Sequence, residues 1–125
     1  MSKIQMSKKN LGSAKHGTNH WWHQRVTAIA LTFLCIWFIV SITLLTGAEY
    51  QDAYNWLKQP LVTGLSLLTV VFTLYHLNLG LQVIIEDYIH TEITKIITLM
   101  LVNFACLIVG LTCCLSILLV FFGGK

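Results

Sequence analysis

Between Tyr75 and His90 the chain reads YHLNLGLQVIIEDYIH, a lone histidine inside an apolar run followed by an Asp87-Tyr88 pair. On a helix, His76, Gly80, Val83 and Asp87 fall at i, i+4, i+7 and i+11, along one stripe. One face therefore carries a nitrogen able to ligate a metal, a residue with no side chain beside it, and an acid. At about 1.5 Å of rise per residue, His76 and Asp87 lie roughly 16 Å apart along the axis. That separation lets the histidine sit inside a bilayer while the acid reaches its surface. A neutral imidazole can bind iron, and a tyrosine hydroxyl beside an acid near water can donate hydrogen bonds and pass protons.

Composition decides where such a stripe lives. The chain has 125 residues, of which 56% are hydrophobic and only 10% charged, against about 25% charged in a soluble domain. A small soluble protein has too little interior to hide that much apolar surface. The charges are also segregated. Lys3, Lys8, Lys9, Lys15 and Arg25 precede the first long apolar run, and Thr27 to Leu45 carries no charge. The net charge of +3 reads as a topology signal rather than a nucleic-acid footprint, because the basic residues are thinly spread. Cys35, Cys106, Cys113 and Cys114 all fall in apolar segments without zinc or iron–sulfur spacing, so they are small hydrophobes.

The expected architecture is all-α: an integral membrane protein with three transmembrane helices, one part of a heteromeric helical bundle. Residues 1 to 18 form a polar, basic tail, in which Gly12, Ser13 and Gly17 break any regular element. A membrane anchor domain follows over residues 19 to 125. Its first stretch, NHWWHQR, places Trp21 and Trp22 at a headgroup boundary. Arg25 there either anchors the interface or faces inward to pair with an anionic cofactor group. Spans cover about 26–45, 61–85 and 96–122, each near the roughly twenty residues that cross hydrocarbon. Gly47 closes the first, and Tyr50, Tyr54 and Trp56 mark an interfacial turn in the loop after it. Thr63, Ser66, Thr69 and Thr73 can return their hydroxyls to the backbone, while Gly64 and Gly80 admit close helix approach. Glu86 to Lys95 reads as a short polar loop.

Three fates are open to His76: ligating a haem, hydrogen bonding to another helix, or facing lipid by accident. Ionisable residues within hydrocarbon must find a partner and mark sites by default. A six-coordinate haem needs two axial ligands, and the other four histidines lie in the tail, at the interface or in the polar loop. The second ligand must then come from another chain. Three spans without an internal repeat or a charged centre make a poor carrier or pore, so a subunit of a larger complex fits better.

The run HxxxGxQVxxxDY, here His76, Gly80, Gln82, Val83, Asp87 and Tyr88, resembles the second helix of the D-type hydrophobic membrane anchors of succinate dehydrogenase. The run GTNHWWHQRVTAIAL, from Gly17 to Leu31, is similar to the opening of alphaproteobacterial members of that family. The resemblance implies a four-subunit enzyme of the tricarboxylic acid cycle and respiratory chain in the bacterial inner membrane. A flavoprotein oxidises succinate, an iron–sulfur protein relays electrons, and this chain with a C-type, cytochrome b556-like anchor holds them to the membrane. It further implies haem b shared between the two anchors, with His76 as one axial ligand. Tyr88 and Asp87 would lie at the site where ubiquinone is reduced, and Arg25 would pair with a haem propionate or polar site residues. A fumarate reductase anchor would share these features. A haem-only electron-transfer cytochrome subunit would use His76 without needing Asp87 and Tyr88, and a scaffold subunit would need none of them.

Orientation follows from Lys and Arg alone: six lie in the tail and the second loop, against two, Lys58 and Lys125, on the other side. The amino terminus is therefore expected in the cytoplasm and the carboxyl terminus in the periplasm. An alkaline phosphatase fused after Lys125 should be active, and a fluorescent protein that folds and glows there in the cytoplasm would reverse the assignment.

Overall fold

The computed structural model describes the backbone of residues 13–123 and the side chains from residue 17 onward. Most of the basic tail, with Lys3, Lys8 and Lys9, and the terminal Lys125 lie outside the described residues. Among the described residues all regular structure is helical: α1 (Ser13–Leu44), α2 (Tyr50–Leu57), α3 (Pro60–Tyr88) and α4 (Glu92–Phe121). Three of the four, α1, α3 and α4, are long and apolar enough to cross a membrane.

Two helix ends depart from the expected ones. Gly17 does not break regular structure, because α1 begins four residues before it. A glycine costs a helix about 1 kcal/mol relative to alanine, which the long apolar helix beyond it outweighs. The polar loop expected from Glu86 to Lys95 shrinks to residues 89–91, as α3 continues to Tyr88 and α4 starts at Glu92. Glu92 in a first turn suits the positive end of the helix dipole. At the other ends, Gly47 closes α1 with φ +83, a left-handed conformation open to glycine at little cost. Pro60 opens α3 in its first turn, where its missing N–H costs nothing.

The interfacial turn is a helix, α2, held by its aromatic residues. Trp56 stacks on Trp37 of α1 with ring centroids 6.1 Å apart. Thr63 Oγ1 donates to the Leu57 carbonyl at 2.8 Å, tying α2 to the start of α3. Helix α3 is the central member and packs against both α1 and α4.

What is buried follows membrane rules rather than soluble ones. The buried residues are Thr27, Ser41, Thr63 and Ser66 beside Val62, Leu79 and Ile85. Large apolar side chains point outward, with Phe33 at 71% and Leu101 at 65% exposure. Small polar residues let helices approach, and hydrocarbon takes up the rest. Hydroxyls turn back onto their own helices, as at Thr69, which donates to the Leu65 carbonyl at 2.7 Å. Across α3 and α4, Asn78 Nδ2 donates to Asn103 Oδ1 at 2.7 Å, and Gly110 sits so close to α3 that a Cβ there would lie 3.0 Å from Leu74 Cδ1.

The asparagine pair sets a measurable coupling. A double-mutant cycle of Asn78→Leu and Asn103→Leu, read on the detergent stability of the membrane-extracted protein, should give about 0.6 kcal/mol of favourable interaction. Strict additivity would show that the bond contributes nothing to holding α3 against α4.

Candidate functional site

Helices α1 and α3 run antiparallel, and their contact is a polar seam at one end of the bundle. His20, Gln24 and Thr27 recur at helical spacing on α1. Opposite them, Thr27 Oγ1 lies 2.9 Å from His76 Nδ1. One turn further out, a Cβ built on Gly80 would meet Gln24 Nε2 at 3.7 Å, so the space beside His76 on its stripe is taken by the Gln24 side chain. A Cβ there would make only ordinary van der Waals contact.

Thr27 is the most buried polar residue described, at 3% exposure. Its hydroxyl also lies 2.7 Å from the His23 carbonyl and 3.1 Å from that of Gln24. His76 is half-buried, and the neighbouring Tyr75 meets the His23 ring edge-on at 6.2 Å. Two further atoms of the α1 face, His20 Nε2 and Gln24 Oε1, are buried without a hydrogen-bond partner. Unpaired buried polar atoms cost about 1–3 kcal/mol each, so this seam is polar beyond what packing α1 on α3 requires.

The remaining residues singled out by sequence are spread along this end. Arg25 is exposed, with its guanidinium 5.4 Å from the centre of the Trp21 ring. Asp87 and Tyr88 occupy the last turn of α3, both exposed, with Tyr88 at 81%. Asp87 continues the His76 stripe, whereas Tyr88 is rotated from it by about 100°. Adjacent helical residues do not face each other, so one ligand touching both side chains has to bridge two faces. The structure thus brings His76 to α1 and leaves Asp87, Tyr88 and Arg25 open to neighbours. All four lie toward the same end, because the antiparallel pairing of Thr27 with His76 places the start of α1 beside the end of α3.

Sequence reasoning missed Thr27, Gln24 and His20 as members of one face. Their spacing was available, but nothing distinguished Thr27 from the other threonines that bond back to their own helices. The cysteines are free, with Cys35 exposed and the others partly so. A groove of about 650 Å³ between the helices, lined by residues such as Phe38, Trp56, Thr69, Thr73 and Cys113, lies in the half of the bundle away from Asp87 and Tyr88.

Comparison with known proteins adds an independent line. Residues 3–112 match the family of succinate dehydrogenase/fumarate reductase transmembrane subunits. The succinate dehydrogenase hydrophobic membrane anchor subunit of Rickettsia conorii is 38% identical over 101 residues, 80% of each chain. That of Rickettsia prowazekii is 30% identical over 116 residues, 93% of this chain and 90% of its own. The anchor subunit of Paracoccus denitrificans is 30% identical over 80 residues, 64% of this chain and 62% of its own. No solved structure matches. A three-span helical chain with this coverage belongs to the succinate dehydrogenase/fumarate reductase transmembrane subunit family, among the hydrophobic membrane anchors of succinate dehydrogenase.

Proposed function

We propose that this anchor, in the inner membrane with its amino terminus in the cytoplasm, binds haem b jointly with a C-type anchor and helps form the site of ubiquinone reduction. Its further partners are the iron–sulfur and flavoprotein subunits. The observation that carries the reading is the state of His76. It stands within a span, one ring nitrogen is engaged by Thr27, and the other has no hydrogen-bond partner among the described residues. A bare metal ion would want three or more protein ligands, and the described residues hold no such group of His, Cys, Asp or Glu. An iron already held by a macrocycle needs only axial ligands, so a single histidine from each of two chains fits it.

When bound, the haem would supply reversible one-electron chemistry beside the quinone site. His76 would hold it from α3. Arg25, about three turns into α1 and beside the interfacial Trp21 and Trp22, suits a propionate once that carboxylate competes with the Trp21 ring for the guanidinium. At the end of α3, reduction of a quinone carbonyl builds negative charge on oxygen and then requires a proton. The Tyr88 hydroxyl can donate to that oxygen, and Asp87 can carry protons from water or hold the pocket in line. Both are exposed in the single chain, as groups completed by other subunits must be.

In the assembled complex, His76→Leu should abolish or shift the low-spin haem signal while the chain still inserts, because leucine costs the bilayer nothing. An unchanged haem spectrum would remove His76 as a ligand. Tyr88→Phe keeps the ring and deletes one donor. Such a loss costs about 10²-fold in a dry site and less where water substitutes, so quinone reduction should fall nearer tenfold. Asp87→Asn should lower the same rate with a stronger dependence on pH. Succinate oxidation by a soluble acceptor that takes electrons before the membrane should stay near wild type in both. If both variants reduce quinone at the wild-type rate, the pair is an interfacial anchor.

A further inference from the structure

We infer that Thr27 is a positioning residue for His76, accepting a hydrogen bond from Nδ1–H and so leaving the Nε2 lone pair free to bind iron. The inference rests on the haem reading above and goes beyond it, since it fixes which nitrogen binds and what holds the ring.

The argument begins with one hydroxyl among three neighbours. Thr27 Oγ1 lies 2.7 Å from the His23 carbonyl oxygen, 3.1 Å from the Gln24 carbonyl oxygen and 2.9 Å from His76 Nδ1. A hydroxyl has one proton to give and lone pairs to receive with. The distance to His23 is that of an ordinary O–H···O bond. Two oxygens so close with no proton between them would repel, so the hydroxyl hydrogen points at the His23 carbonyl. Only lone pairs then remain for the imidazole. At 2.9 Å, His76 Nδ1 must be the donor.

The consequence is electronic as well as geometric. A neutral imidazole has one ring proton, and with that proton on Nδ1 the other nitrogen carries its lone pair. His76 is therefore the tautomer that ligates through Nε2. A ring N–H given to an oxygen also makes the opposite nitrogen a better electron donor and restrains rotation about the side chain. A more basic ligand favours ferric over ferrous iron, which lowers the midpoint potential. Burial of Thr27 to 3% exposure keeps water from replacing the hydroxyl. The local sequence builds the acceptor: residue 27 stands four positions after His23, so the hydroxyl returns to its own helix and is aimed by the backbone rather than left to rotate.

The test uses the membrane-extracted complex, with haem and spectra counted per flavoprotein subunit. Thr27→Val has nearly the same shape and no hydroxyl; Thr27→Ser restores the hydroxyl without the methyl. In Thr27→Val the haem midpoint potential should rise, the low-spin resonance of the ferric form should shift, and haem should be retained about tenfold less well against an apoprotein acceptor. Thr27→Ser should recover the wild-type potential and resonance. Should valine prevent assembly, Thr27→Ala is read in the same way. A Thr27→Val complex with wild-type potential, resonance and retention, alongside a His76→Leu complex that has lost the signal, would overturn the role of Thr27 and leave the ligand standing. A His76→Leu complex that keeps its signal would overturn both.

Discussion

In hydrocarbon a polar group has no water to turn to, so each one must find its partner inside the protein. That constraint orders this chain more than any hydrophobic core does. Of the seven buried residues among those described, four are Thr or Ser, while α4 buries none of its residues within the chain. The contact between Thr27 and His76 is where the rule meets chemistry. It joins α1 to α3 at the end of the bundle where buried polar atoms gather.

The same rule explains why the chain reads as a component rather than a finished site. On the proposed reading, His76 would supply one haem ligand and need a second from elsewhere, and Tyr88, four-fifths exposed, would need neighbours to form a pocket. The unpartnered His20 Nε2 and Gln24 Oε1 extend the polar seam outward from His76, along the helix face that leads toward Asp87. The opposite half of the bundle is built differently, with an apolar groove, the Trp37 and Trp56 stack, and Lys58 reaching to within 3.5 Å of where a Gly123 Cβ would stand. The two ends thus differ in character, one polar and the other apolar and aromatic.

The three spans were legible because hydropathy is a sum over many residues, and the His76 stripe because helical period needs no tertiary information. Helix ends were less so. Gly17 and the run from Glu86 carry breaker and polar signals that are locally sound, yet a long helix propagates through them once its apolar length is committed. Pairings across helices were not legible at all. Asn78 and Asn103 meet only because α3 and α4 adopt one register, and Thr27 differs from Thr32 or Thr43 only in what stands opposite. Asp87 and Tyr88, side by side in sequence, are turned onto different faces by the helix.

The most direct measurement is a side-chain-resolution cryo-electron microscopy map of the assembled complex. The expected result has haem iron on His76 Nε2, the second axial ligand from a partner chain, and Thr27 Oγ1 within hydrogen-bonding distance of His76 Nδ1. A map in which His76 carries no iron, with both iron ligands drawn from other chains, would contradict it.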